Sequence, residues 1–163
     1  MSAGLPHFTT GWARSWGRDT FISFKGIYLE NGLLAEAREA LLTFGSCLRH
    51  GLIPNLLDSG HNPRYNCRDA CWWYIKAVKD YVQFAGKTDI LNEEVQMIFL
   101  DDDMDKHYQL KSQGVIIKKT IAEIIQKIFQ SHASGIKYRE WRAGNQIDNC
   151  MQSEGFNIFI VFG

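Results

Sequence analysis

The spacing of apolar residues along the chain predicts mainly helices. Over residues 33–48 they recur at three- and four-residue steps, the period of an amphipathic helix. The same period predicts helices over 68–84 and 115–132. Residues 19–29 are apolar on more than one side, as in a helix buried among its neighbours.

The segments between these helices differ in length and composition. Residues 51–65 contain two prolines and three Asn or Asp residues, which predicts a loop. A short helix is predicted over 90–99, and a strand or extended loop over 136–141. The whole pattern predicts an all-α fold of antiparallel helix pairs, whose longer loops carry polar and aromatic residues.

Charge and length limit the classes of partner. The chain has 163 residues, which suits one domain or part of a larger one. Lys plus Arg and Asp plus Glu number 18 each, so no nucleic acid or anionic membrane is expected, and a neutral polymer is favoured. No apolar run reaches the roughly 20 residues that span a bilayer. The N-terminus also lacks the features of a signal peptide, so a soluble, cytoplasmic protein is expected.

The cysteines do not predict a disulfide framework or a metal site. Cys47, Cys67, Cys71 and Cys150 are few and scattered, so reduced thiols are expected. Cys67 and Cys71, with His61 nearby, match no specific zinc spacing. Buried small side chains are therefore favoured over zinc ligands.

An acidic run lies in the second half of the chain. It contains Asp101, Asp102, Asp103 and Asp105 but lacks the spaced glycine and final glutamate of an EF-hand. This composition favours a solvated acidic loop over a calcium site.

Two blocks combine an Arg-Asp pair with tryptophan where a loop enters a predicted helix. They are Trp16-Gly17-Arg18-Asp19-Thr20 and the segment from Arg64 to Tyr74. A carboxylate and a guanidinium suit the hydroxyl groups of a sugar, and an indole ring suits its apolar face. The blocks predict a sugar-binding pocket, which an enzyme that cuts glycosidic bonds requires.

Glycoside hydrolysis needs a protonated acid for the leaving oxygen and a second carboxylate for the nucleophile or the water. Asp69 is the better acid candidate, because Trp72 and Trp73 follow within one turn. Desolvation by these rings raises a carboxyl pKa, whereas contact with Arg68 lowers it, and the sequence leaves this balance open.

Arg18 and Asp19 are interpreted as a donor and acceptor pair around one sugar. Simpler alternatives exist for each residue taken separately. Asp19 and Asp69 also suit helix N-caps, and tryptophans occur more often in a core than on a carbohydrate platform.

Taken together, these motifs resemble the C-terminal amylo-α-1,6-glucosidase region of eukaryotic glycogen debranching enzyme. The resemblance spans nearly all of the chain in one order. Its segments are Gly4 to Phe8, Trp16 to Phe21, Arg49 to Leu57, Arg64 to Trp73, Arg139-Glu140, Ala143-Gly144, Gln146 to Asp148 and Glu154 to Ile158.

The resemblance implies an inverting hydrolase on an (α/α)6 toroid, which removes the single glucose left at a glycogen branch. Its implied partner is glycogen or limit dextrin, and it implies no metal or organic cofactor. Asp69 stands in the position of the general acid. The implied substrate-binding residues are Trp16, Arg18, Asp19, His50, Asn55, Asn66, Arg68 and Trp72.

The chain departs from the family pattern in two ways. It provides about half of a toroid's helices, and the family's general base is a Glu beyond Gly163, which leaves Glu154 as the nearest substitute. Residues 158–163 are apolar where the family has a small-residue and acidic loop, so a non-native or frayed truncation end is expected. Residues 1–163 are interpreted as a partial glucosidase domain that is nearly inactive alone.

Two other functions fit the same residues. One is a non-catalytic helical protein that keeps the pocket and binds α-glucan or a partner. The other is a glucoamylase-like or trehalase-like inverting glycosidase of the same architecture. Self-association through exposed apolar helix faces is also considered.

Overall fold

The computed structural model describes residues 14–58, 62–101, 110–138 and 156–158. Helices form most of its regular structure. The α-helices are Gly17–Ile22 (α1), Leu34–Ser46 (α2), Ala70–Ala85 (α3) and Ile121–Ser134 (α4). A π-helical turn spans Lys25–Leu29, and 3-10 turns span Asp89–Asn92 and Leu110–Gln113.

Short antiparallel strands join these helices, and the predicted all-α class omitted them. They are β1 (Arg14–Trp16), β2 (Leu56–Asp58), β3 (Asn62–Arg64), β4 (Glu94–Gln96), β5 (Lys118–Thr120), β6 (Ile136–Tyr138) and β7 (Phe156–Ile158). β1, β2 and β3 form one sheet in that order, while β4 pairs with β5 and β6 with β7. The helical part of the prediction is confirmed, but three-residue strands are too short to show a two-residue hydrophobic period.

The helices predicted over 19–29 and 90–99 are only partly helical in the structure. The helix predicted over 19–29 is divided after Ile22, where the Ser23 hydroxyl donates to the Asp19 carbonyl at 2.6 Å. Such side-chain bonds to the preceding turn bend helices. The helix predicted over 90–99 was wrong beyond its first turn, because Val95 is buried between exposed neighbours in β4 and pairs with Lys119.

The core is centred on α3, which packs against both α1 and α2. Tyr74 of α3 is fully buried, and its hydroxyl donates to the Leu41 carbonyl at 3.0 Å. The Phe21 ring lies edge-on to both Phe44 and Tyr74, with centroids 4.9 and 5.4 Å apart. Aromatic packing of this kind fixes the position of α1 against α3.

α4 adds an apolar face to this core through Ile121, Ile124 and Ile128. It was predicted to begin at residue 115 but begins at Ile121, after a capping box. The Glu123 amide donates to Thr120 Oγ1 at 3.2 Å, and the Thr120 amide donates to Glu123 Oε2 at 2.7 Å. These bonds satisfy helix-end amides that lack a partner within the helix.

Replacing Thr120 with alanine is expected to lower the free energy of unfolding by about 1 kcal/mol, because the side-chain cap is lost. Thr88 is the matched control, since it precedes the 3-10 turn without a side-chain capping bond. Thr88→Ala should change stability by less than about 0.5 kcal/mol. Urea unfolding measures both variants, and equal effects would contradict the capping role.

No helix in the described part of the chain is long and apolar enough to cross a membrane. The Gly4 to Phe8 motif, Glu154, the predicted 139–155 motifs and the end segment after Ile158 lie outside the described residues. Ile158 itself is in β7 and pairs with Ile136.

Candidate active site

The N-terminal ends of α1 and α3 lie side by side and bring the two Arg-Asp blocks together. Arg18 Nε, in the first turn of α1, lies 3.2 Å from Asp69 Oδ2, at the start of α3. The Arg18 and Asp69 side chains remain 49% and 43% exposed, so both are accessible to a ligand. An arginine and an aspartate that are distant in sequence thus form one polar centre.

Asn55 forms hydrogen bonds with the backbone that carries Arg18. Its side-chain Oδ1 accepts from the Arg18 amide at 3.3 Å, and its carbonyl accepts from the Gly17 amide at 2.6 Å. Its own amide donates to the Arg64 carbonyl at 2.7 Å. Asn55, predicted as a pocket residue, therefore connects the two blocks through their backbones.

The Asp69 carboxylate is held by its own segment as well as by Arg18. Cys67 Sγ donates to Oδ1 at 2.8 Å, and Trp73 Nε1 donates to Oδ2 at 3.2 Å. Asp69 occupies the N-cap position of α3, yet its side chain makes no capping bond. The simpler interpretation of Asp69 as a side-chain cap was therefore wrong.

These donors resolve the electrostatic balance that the sequence left open. The hydrogen bond from Cys67 lowers the pKa of Asp69 most, partial burial opposes it, and Trp73 and Arg18 lower it further. Hydrogen bonds and positive charge favour the ionised form of a carboxyl group. The contacts that lower the pKa of Asp69 therefore outweigh its desolvation, and Arg18 is one of them.

The two tryptophans after Asp69 have separate surroundings. Trp73, which was not among the predicted site residues, contacts the carboxylate. Trp72 packs against α4, with its ring 4.7 Å from the His132 ring and 5.7 Å from the Phe129 ring. Residues adjacent on a helix point about 100° apart, so one of the two faces Asp69 while the other faces away.

Four other predicted residues lie in the same chain segments as Arg18 and Asp69. Asp19 is exposed in the first turn of α1, and no side-chain capping bond forms there. Asn66 and Arg68 are exposed in the loop that leads into α3. Trp16 is half-buried at the end of β1, where it pairs with Leu56.

His50 lies in a left-handed turn between α2 and the loop that follows. Its φ is 52°, and its amide donates to Asp101 Oδ1 at 2.5 Å. Asp101 Oδ2 also lies 3.6 Å from Lys127 Nζ of α4. Asp101, predicted as part of a solvated acidic loop, therefore holds this turn in place, while the rest of that acidic run lies outside the described residues.

The sequence of the chain matches a known protein family. The profile of the amylo-alpha-1,6-glucosidase family matches residues 1–159, which is nearly the whole chain. The chain belongs to the amylo-alpha-1,6-glucosidase family. The match includes both Arg-Asp blocks, so the sequence resemblance is confirmed.

Glycogen debranching enzyme of Saccharomyces cerevisiae is similar to this chain. The two are 46% identical over 161 residues, which cover 98% of this chain. The chain spans 10% of the length of the yeast protein. Membership of this family supports a glycosidase-like function.

The described residues of this family member contain no group of three or more His, Cys, Asp or Glu side chains suited to a metal ion. Cys47 and Cys71 are buried free thiols, and Cys67 is a partly exposed one. His61 and Cys150 lie outside the described residues. The thiol that bears on the site chemistry is therefore Cys67, through its contact with Asp69.

Proposed function

We propose that this chain carries the proton-donating part of an amylo-α-1,6-glucosidase site acting on glycogen or limit dextrin. Asp69 protonates the leaving oxygen of the α-1,6 bond, while Arg18 and Asp19 bind the terminal glucose. The observation that carries this proposal is the 3.2 Å approach of Arg18 to Asp69 at the paired helix starts. Family membership over residues 1–159 supports the substrate class.

The Arg18–Asp69 geometry suits recognition of a sugar. Arg18 provides fixed N–H donors, while Asp69 and Asp19 provide acceptors, and both side chains of the central pair are about half exposed. Sugar hydroxyls both donate and accept hydrogen bonds, so these groups can bind a hexose that carries no net charge.

The second carboxylate of an inverting mechanism accepts a proton from the attacking water. We place it in the remainder of a longer debranching-type protein, because this chain spans 10% of the yeast relative. The packed α1, α2 and α3 helices then form part of an (α/α)6 toroid. The proposed location of the protein is the cytoplasm, where glycogen is stored. Residues 1–163 form part of that glucosidase domain.

The isolated chain is expected to release almost no glucose from phosphorylase-limit dextrin. One acid or base group accelerates the reaction by a factor of roughly 10² to 10⁴, and a site without its base lacks that factor. An enzymatic glucose assay measures this. Glucose release at a rate near that of yeast glycogen debranching enzyme would contradict the placement of the base outside this chain.

A non-catalytic α-glucan-binding protein is the second candidate function. The lowered pKa of Asp69 favours it, because the Cys67 hydrogen bond keeps the carboxylate ionised and thus able to accept from hydroxyls but not to donate a proton. Binding to glycogen without hydrolysis in the complete protein would support this function over the first.

Both functions predict that Arg18 binds glucan. Arg18→Ala should weaken binding of the isolated chain to glycogen roughly ten- to hundredfold, since hydrogen bonds from charged groups contribute about 1.5–3 kcal/mol. Lys87→Ala is the control, because Lys87 is equally cationic and exposed but lies after the far end of α3. Cosedimentation with glycogen measures both, and equal losses would contradict the assigned site.

A further inference from the structure

The two oxygens of Asp69 have chemically different partners. Oδ2 faces Arg18 Nε at 3.2 Å and Trp73 Nε1 at 3.2 Å. Oδ1 faces Cys67 Sγ at 2.8 Å. A guanidinium and an indole N–H can only donate, whereas a thiol can donate or accept.

This difference determines where a proton fits. A proton on Oδ2 points at two N–H groups that cannot accept it, so protonation there breaks favourable contacts and creates a donor–donor conflict. A proton on Oδ1 meets only Cys67 among these partners. The thiol accommodates it by rotating its own S–H away.

We propose that Asp69 carries its acid proton on Oδ1 and that Cys67 is the positioning residue that accommodates both protonation states. In the ionised state Cys67 S–H donates to Oδ1. In the protonated state the Oδ1 proton is turned toward a ligand oxygen or toward Sγ. The role of Asp69 as the acid rests on the proposed function. The change of hydrogen bonds between Cys67 and Asp69 on protonation does not.

The local backbone fixes Cys67 for this role. Cys67 precedes Asp69 by two residues, and its carbonyl accepts from the Ala70 amide at 3.4 Å in the turn that starts α3. Burial first, and then the hydrogen bond to Asp69, raise the pKa of Cys67 to about 11. At neutral pH the thiol therefore keeps its proton and acts as a donor rather than as a nucleophile.

During each catalytic event Asp69 changes from its protonated to its ionised state. The Oδ1 proton passes to the leaving oxygen as the bond from that oxygen to the anomeric carbon breaks. Water bonds to that carbon and gives its own proton to the second carboxylate, which the proposed function places outside this chain. The aspartate left behind regains the Cys67 S–H bond. Cys67 thus stabilises Asp69 after proton transfer without touching the substrate.

The first test is a carbon-13 NMR titration of Asp69 in the whole, ligand-free chain. Cys67→Ala should raise the pKa of Asp69, because the largest lowering contact is removed, whereas Cys67→Ser should keep it low by restoring a donor. Asp80, which pairs with Lys76 further along α3, is the internal control, and its resonance should be unaffected by either substitution. An unaltered Asp69 pKa in Cys67→Ala would overturn the proposal.

The second test locates the proton. The S–H stretching band of Cys67 is assigned in the infrared spectrum by its loss in Cys67→Ser. As pH falls through the pKa of Asp69, this band should rise to the frequency of an S–H without a hydrogen bond, and the shift should vanish in Asp69→Ala. A band that keeps the frequency of a hydrogen-bonded S–H would place the proton on Oδ2, because Oδ1 then still accepts from Cys67.

Both tests use the protein without substrate, so they remain informative if the proposed function fails. The readout in an active enzyme is the alkaline limb of the kcat/KM profile, which reports the pKa of the acid. When this chain replaces the matching segment of a debranching enzyme, Cys67→Ala should move the alkaline limb of the profile to higher pH. Cys67→Ser should leave the position of that limb unchanged. A limb that does not move, with a shifted Asp69 titration, would show that Asp69 is not the acid.

Discussion

Replacing Gly17 with alanine is expected to lower the free energy of unfolding by about 1–3 kcal/mol, the usual cost of overpacking a core. A methyl group at Gly17 clashes with the Pro54 carbonyl and lies 3.1 Å from Phe44 Cε1. The carbonyl belongs to the backbone, so relief requires α1 to move away from the 54–55 segment. Because Arg18 follows Gly17 directly, that movement should also alter the contact of Arg18 with Asp69.

Gly26→Ala is the matched control, because its added methyl group meets only the flexible Glu30 side chain, at 4.0 Å. An alanine in a helical turn is favoured over glycine by roughly 0.5–1 kcal/mol, so this variant should be neutral or slightly more stable. Urea unfolding compares the two. Equal stability of Gly17→Ala and Gly26→Ala would contradict the close packing at the start of α1.

Replacing Asp69 with asparagine is expected to cost roughly 10² to 10⁴ in kcat on limit dextrin. The suitable protein is yeast glycogen debranching enzyme in which the matching tenth is replaced by this chain, since the two are 46% identical there. Asparagine preserves the size of the side chain and its acceptor oxygen but carries no acid proton. The loss should therefore appear in kcat more than in KM.

Asp80→Asn in the same chimera controls for the loss of a carboxylate from α3. Asp80 pairs with Lys76 four residues earlier on the helix, outside the Arg18–Asp69 centre. Its replacement should leave kcat unchanged. Equal losses in Asp69→Asn and Asp80→Asn would assign the effect to helix stability instead of acid catalysis.

The sequence predicted the long helices because their apolar residues repeat over several turns. It located α2 and α3 within about two residues at each end. It also anticipated that the two Arg-Asp blocks belong to one site. These features depend on local periodicity and on residue types that the chemistry requires.

The remaining features depend on contacts between distant segments. The sequence did not reveal that Trp73, and not Trp72, faces Asp69, because that depends on the exact rotation of α3 against its neighbours. Asp101 had no local sign of its bond to the His50 amide. The contact of Cys67 with Asp69 was overlooked because the cysteines were interpreted as buried small side chains, although the spacing of two residues from Asp69 was visible.

The most direct measurement of the acid role of Asp69 compares two substrates that differ in leaving group. In the chimera, Asp69→Asn should lose most of its rate on limit dextrin, whose sugar oxygen must be protonated to leave. The same variant should lose far less on α-glucosyl fluoride, because fluoride departs without a proton. An equal loss on both substrates would contradict the claim that Asp69 is the proton donor.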